Sequence, residues 1–211
     1  MQHSTLAVIA ASAAVLLFLC PVSAQTDGPA FCKGLDCPQF TVASSTDEYE
    51  VRDYAPSLWV STTVRSRFYG SASYTCFRRL FEYIQGDNKR NETIAMTAPV
   101  IMRLRSSGTG LFQRASYTMS FYIPPSHSDN SPLPNNPDVV FTEMPAQRVY
   151  VKHFSGFASG ATYASNARRL ARELTSANKA YESSFYYTAG YDGPYTFMNR
   201  RNEVWFLAND Q

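Results

Sequence analysis

Between Ser71 and Val100 the apolar positions follow first a helical and then an extended period. Tyr74, Phe77, Phe81 and Ile84, with Leu80 beside them, recur at i, i+3, i+7 and i+10. That is one stripe of a 3.6-residue helix, and Arg78, Arg79, Glu82 and Gln85 take its other side. Ser71 or Ser73 can cap such a helix and Gly86 can supply the left-handed residue after it, so the pattern predicts a helix over 71–85. A polar loop at 86–93 follows. Residues 94–104 read as a strand interrupted at Pro99, bulged or at a sheet edge there. On pattern alone three aromatics on one helical stripe are a core face, and a platform for a ligand is the alternative.

The flanking segments alternate. Tyr49, Val51 and Asp53 share one face of a first strand, and the β-branched run from Leu58 to Val64 is a second. Tyr117 to Ile123 reads as a strand closed by Pro124-Pro125. Residues 124–138 hold five of the twelve prolines and read as an ordered surface loop. The pattern then starts again. Val139 to Glu143 and Arg148 to Phe154 are strands around Pro145. Within 157–177 lies a helix with Tyr163, Ala167, Leu170, Ala171 and Leu174 on one side and Arg168, Arg169, Arg172 and Glu173 opposite. Phe185 to Thr188 and Glu203 to Ala208 close the chain, separated by a turn at 190–194. Strand, strand, helix, strand, strand thus occurs twice, at about 48–124 and 139–208. Two such units bury their faces by sharing one antiparallel sheet or a distorted barrel, with both helices against it.

The N-terminus reads differently. Leu6 to Leu19 is apolar but short for a membrane span, and Val22-Ser23-Ala24 places small residues at −3 and −1 of a cleavage site. Residues 1–24 are therefore expected to be a signal peptide and the protein to be secreted, with a retained N-terminal anchor as the alternative. The remainder suits one domain, preceded by a cysteine-containing lead-in at 25–45. A net charge of +2 without a basic block gives no reason to expect nucleic acid as a partner, and no later stretch predicts a membrane insertion. Cys32, Cys37 and Cys76 remain after cleavage. Cys32–Cys37 is the favoured disulfide, because the two are near in sequence in a Gly/Pro-flanked segment; pairing of either with Cys76 is the alternative. Three thiols at this spacing match no usual zinc ligand set. Asn91-Glu92-Thr93 is a sequon for N-glycosylation in a polar loop.

Several blocks together carry a family resemblance. They are Tyr49-Glu50-Val51-Arg52-x-Tyr54, Trp59-Val60-Ser61-Thr62, Phe77-x-x-Leu80-x-x-Tyr83-Ile84-x-Gly86-x-Asn88, Ile94-x-Met96-Thr97-x-Pro99-Val100 and Phe154-x-Gly156-Phe157. Tyr186 to Tyr191 followed by Asn199 to Trp205 completes the set. In this order, over about 46–208, they resemble the SOUL/heme-binding-protein family, and its SOUL branch more than the smaller heme-binding branch. The resemblance implies an α+β fold, a distorted antiparallel β-barrel of two ββαββ-like pseudo-repeats with two long helices packed on it, as a SOUL heme-binding domain at 46–211. It also implies heme or another tetrapyrrole as ligand, in a pocket at the first long helix. Carried onto this chain, that pocket is Tyr74, Phe77 and Phe81 with Met96 nearby, and burial of the stripe against the sheet stays open beside it. Arg78, Arg79, Arg200 and Arg201 are candidate partners for propionates, with Arg78 and Arg200 foremost. Some SOUL members carry a histidine, proposed as an iron ligand, where this chain has Asp53, a poor heme ligand. His127, in the proline-rich loop, reads as solvated, and His153 as a structural or surface residue of its strand. Binding is then expected to rest mainly on apolar packing. The expected function is a secreted tetrapyrrole carrier, buffer or scavenger without catalysis; the alternative is an extracellular protein-interaction module that has lost heme. An enzyme is the third reading: a hydrolase would need a nucleophile with a base in reach, for which Cys76 and His153 are of the right types and no more, and Glu203 is a possible acid or base if it lines one cavity with Tyr187.

Overall fold

These periods produce nine strands and two α-helices in the computed structural model, which describes residues 28–105 and 114–209. The expected signal peptide at 1–24 lies outside the described residues. In chain order the elements are β1 (Phe40–Ser45), β2 (Glu50–Tyr54), β3 (Ser57–Ser66), α1 (Tyr69–Ile84), β4 (Val100–Arg105) and β5 (Ala115–Tyr122). Then come β6 (Val139–Met144), β7 (Gln147–Phe154), α2 (Gly160–Ser176), β8 (Phe185–Gly190) and β9 (Asn202–Leu207). All strand pairs are antiparallel, in the order β1-β2-β7-β9-β8-β4-β5-β3-β6. The sheet curls into a half-barrel.

The repeated element order has a structural counterpart. Matching β2, β3, β4, β5 to β6, β7, β8, β9 turns the strand order from β2 to β6 into its own reverse. The two halves are thus related by a pseudo-twofold at the central β4–β8 pair, and each half lends its first strand to the other: β2 pairs with β7, and β6 with β3. Neither unit could satisfy its sheet edge alone. β1 extends one edge beyond this symmetry.

Alternation along the strands separates two faces. On one face lie both helices. α1 covers Val60, Met102, Tyr117, Met119 and Phe121 with Ala72, Cys76, Leu80, Tyr83 and Ile84. α2 covers Val51, Tyr150, Val204 and Phe206 with Tyr163, Ala167, Leu170 and Leu174, the side expected from its period. Ser159 caps α2, accepting from Thr162 N at 3.2 Å. The concave face holds Tyr54, Trp59, Ile101, Val149, Val151, Tyr187 and Trp205. It is filled by the lead-in, whose Cys32–Cys37 disulfide forms as favoured, with a Cα–Cα distance of 6.4 Å, leaving Cys76 a buried free thiol.

Three local expectations are corrected. α1 starts at Tyr69 after Phe68, with no side-chain cap, so Ser71 and Ser73 lie inside its first turns. Its core face is Ala72, Cys76, Leu80 and Tyr83, and the aromatic stripe sits about a third of a turn away. Tyr74 is 73% exposed, Phe77 38% and Phe81 42%, so the stripe is not core. Finally, residues 94–99 form no strand; β4 begins only at Val100, after the cis Ala98–Pro99 peptide.

Candidate ligand-binding cleft

The N-terminal turns of α1 and α2 meet over the central β4–β8 pair. Tyr69 packs on Tyr163 at 5.6 Å between ring centroids and against Gly160, where a Cβ would come within 2.7 Å of the Tyr69 Cβ. Beside this crossing, on the helix-bearing face, an open cleft of about 230 Å³ remains. Its floor is Val100, Met102, Met119, Thr188 and Gly190; Phe77 and Ser73 form one wall, and Phe157, Asp192 and Arg200 the other. Tyr163 anchors the far end by donating to Asn202 Oδ1 at 3.1 Å, while Asn202 Nδ2 donates to Gly156 O at 2.8 Å.

The α1 wall is aromatic. Phe77 stacks on Phe81 with centroids 5.6 Å apart at 15°, and is fixed edge-on to Phe121 at 5.4 Å. The opposite wall is cationic. The Arg200 guanidinium lies 4.6 Å from the centre of the Phe157 ring and donates to the carbonyl oxygens of Gly193 (2.7 Å), Thr196 (2.6 Å) and Asp192 (3.4 Å). Among the described residues no carboxylate forms an ion pair with Arg200, and its Nε is buried without a hydrogen-bond partner. Phe157 also touches the exposed Phe197, at 6.2 Å. The phenols of Tyr69 and Tyr163 are held in the neutral form by burial, which raises both pKa values. The cleft therefore combines apolar walls with one uncompensated cation, a composition suited to a largely apolar ligand bearing negative charge.

Of the six binding residues expected from the sequence, Phe77 and Arg200 meet across this cleft and Phe81 extends the Phe77 wall. Tyr74 points outward. Arg78 is exposed and pairs with Glu82 at 3.5 Å, and Met96 packs at the margin of the α1 core, so neither lines the cleft. Sequence reasoning missed Tyr69, Met102, Met119, Phe157, Tyr163 and Asp192. Phe157 and Arg200 stand in the quoted blocks, but only the strand order brings those blocks together.

Among the described residues neither histidine lines the cleft. His127 is not solvated as expected: its Nε2 lies 3.0 Å from Glu92 Oε1 and its Nδ1 2.9 Å from Ser126 Oγ. Asp53 faces solvent in β2 and takes a bidentate pair from Arg148 at 2.7 and 2.8 Å, while α1 packs at the opposite end of the sheet, on β3, β5 and β6. Position 53 and the cleft are thus separate places. Glu203 is fully buried on the concave face, where its oxygens accept from Arg52 (3.0 and 3.2 Å), Arg201 (2.7 Å), Tyr191 (2.9 Å) and Trp205 (2.8 Å). Burial alone would raise its pKa, but Arg52 and Arg201 outweigh burial and hold it below the usual 4.5. It is an ionised, saturated anchor of the sheet, and neither it nor Tyr187 lines the cleft.

A family profile described as SOUL heme-binding protein matches residues 35–207. The chain belongs to this family. Human heme-binding protein 2 is 38% identical over 163 residues, covering 77% of this chain and 79% of that protein. Heme-binding protein 1 of Xenopus laevis is 30% identical over 162 residues, covering 77% and 84%. Among solved structures, the C-terminal domain of EcmrR superposes with a TM-score of 0.56 at 10% identity, covering 82% of this chain and 99% of that one, a likeness of fold. All of the cleft's lining residues therefore lie in the SOUL region, and Cys32 and Lys33 of the lead-in, which do not line the cleft, fall before the matched segment.

Proposed function

We propose that this SOUL-family chain binds heme or a closely related tetrapyrrole in the cleft between α1 and the 155–158 and 191–201 loops. The observation that carries the reading is the pairing across one cleft of a half-exposed aromatic wall, Phe77 with Phe81, and a cation with a buried, unpartnered Nε, Arg200. A macrocycle presents an apolar plane to the first and a propionate to the second. The cleft volume suits the edge of such a ring, with the remainder lying over the exposed Phe81 side. Heme, when bound, supplies redox and ligand-exchange chemistry at its iron. The chain's own residues bind it by packing, orient it through Arg200, and exclude water from its buried edge with Met102 and Met119 on the floor.

The role proposed is that of a secreted carrier, buffer or scavenger without turnover. Signal removal after Ala24 and a glycan at Asn91, an exposed loop residue with φ of 50°, belong to the same reading. Among the described residues no helix is long and apolar enough to cross a membrane. A second reading, an extracellular protein-interaction module, is favoured by Tyr195, Phe197 and Met198, which stand exposed beyond the cleft wall. Hemin titration followed by Soret absorbance separates the two. A one-to-one break that the Phe77→Ala/Phe81→Ala variant loses supports the tetrapyrrole site, and a sloping rise shared by both proteins refutes it.

A further inference from the structure

The lead-in does more than fill the concave face. It carries a cation to the loop that forms the cationic wall of the cleft. Residues 29–35 fold into a tight turn, with Cys32 N donating to Pro29 O (2.7 Å), Lys33 N to Ala30 O (3.1 Å) and Leu35 N to Cys32 O (3.0 Å). Lys33 and Gly34 both adopt left-handed conformations, with φ of 55° and 78°, and the Cys32–Cys37 bond closes the loop around them. Lys33 is thereby aimed at the 191–201 segment, where its Nζ pairs with Asp192 Oδ1 and donates to Asn199 O at 3.3 Å. The Asp192 side chain is 1% exposed, and the residue lines the cleft and accepts Arg201 N through Oδ2 at 2.7 Å. Its backbone carbonyl is one of the three that hold Arg200. Phe31, two residues before Lys33, meets Tyr191 edge-on at 5.1 Å, and the Arg201 guanidinium lies 4.0 Å from the centre of its ring. Both ends of the loop are therefore pinned by the turn, and Asp192 has no other side-chain cation partner among the described residues.

We propose that the disulfide-closed turn at 32–37 is a clamp on the ligand cleft, with Lys33 as the positioning residue that sets the 191–201 loop and, through it, Arg200. The inference rests on the tetrapyrrole reading of that cleft. An ion pair to a buried carboxylate fixes the loop only while the lysine is itself fixed, and the disulfide supplies that second constraint by removing alternative conformations of the turn. Lys33 and the disulfide should thus act as one unit, and their effects should not add.

The test is a hemin titration of wild type, Lys33→Ala, Lys33→Arg, Cys32→Ser/Cys37→Ser and the combined Lys33→Ala/Cys32→Ser/Cys37→Ser protein, with a melting curve for each. Lys33→Ala and the cysteine variant should each bind about tenfold more weakly, within the span usual for coupled sites. The combined variant should lose little more, and Lys33→Arg should retain most of the affinity. Lys33→Ala keeps the disulfide, so it reports on the clamp even if the cysteine variant folds poorly. Saturable wild-type binding that the variants match within twofold would overturn the clamp while leaving the cleft assignment standing. Tighter binding by the variants would also overturn it, by showing that the turn obstructs the site. A wild-type titration that never saturates would instead refute the underlying reading of the cleft, and the clamp with it.

Discussion

Two carboxylates of this protein are held by bidentate arginines and differ in burial and in the number of further donors. Glu203 meets Arg52 at 3.0 and 3.2 Å on the concave face, with both side chains at 0% exposure. Asp53, next to Arg52 in β2, meets Arg148 at 2.7 and 2.8 Å on the outer face, with side chains 40% and 46% exposed. Glu203→Gln and Asp53→Asn remove one charge each and almost no volume. The first removes the buried anion between Arg52 and the partly buried Arg201 and leaves Arg52 only Glu50, 26% exposed and 2.6 Å away; breaking a buried pair from one side costs about 3–5 kcal/mol, and the retained Glu50 contact puts the expected cost at the lower end. The second leaves a solvated arginine, and exposed pairs contribute about 0.2–1 kcal/mol. Urea unfolding at neutral pH, read as midpoint and slope, measures both. We expect a clear loss for Glu203→Gln and a near-neutral result for Asp53→Asn, with slopes unchanged. Hemin binding should survive Asp53→Asn, because that pair neither lines the cleft nor touches the 191–201 loop. A Glu203→Gln cost no larger than that of Asp53→Asn would refute the assignment of Glu203 as an ionised anchor.

The same anchor predicts a pH dependence. The folded-state pKa of Glu203 lies below its ordinary 4.5, so its contribution is complete above that value and is lost as pH falls through the folded pKa. The stability gap between wild type and Glu203→Gln should therefore be constant from about pH 7 to 5 and shrink as the pH falls below the ordinary 4.5; a gap that widens on acidification would contradict it. On α1, Leu80→Ala should cost about 2–5 kcal/mol and Tyr74→Ala roughly 0.5 kcal/mol or less by urea unfolding, and the reverse order would place the core on the wrong helical face. Gly160→Ala should cost about 1–3 kcal/mol, because the new Cβ meets the Tyr69 Cβ at 2.7 Å where the two helices cross; an unchanged melting temperature would refute that contact.

The doubling of the ββαββ order was legible because strand alternation and helix periods survive in each half, and the pseudo-twofold at β4–β8 accounts for it. The exchange of first strands between halves was not legible, since pairing partners far apart in sequence leave no local trace. The face of α1 misled for a physical reason: it carries two apolar stripes. The larger aromatics dominate any count, yet the face that packs on the sheet is built from Ala72, Cys76, Leu80 and Tyr83. Small residues at 72 and 76 let the helix approach β3 and β5, so Phe77 and Phe81 are left over at the surface, where a ligand platform would need them. Glu203 read as a possible acid because its strand position was known but its neighbours were not; Arg52 lies 151 residues away. The lead-in read as a flank, although Phe31 and Phe40 lie within 5.4 and 4.5 Å of the Arg52 guanidinium and join the concave core.

The place of the ligand can be read by amide chemical-shift mapping with gallium protoporphyrin IX, a diamagnetic heme analogue. Saturable shifts are expected at residues 69–81 of α1, at Met102 and Met119, at Phe157 and along 188–202, with Asp53 and Arg148 silent. Shifts centred on β2 around Asp53, or spread over the surface without saturation, would contradict that placement.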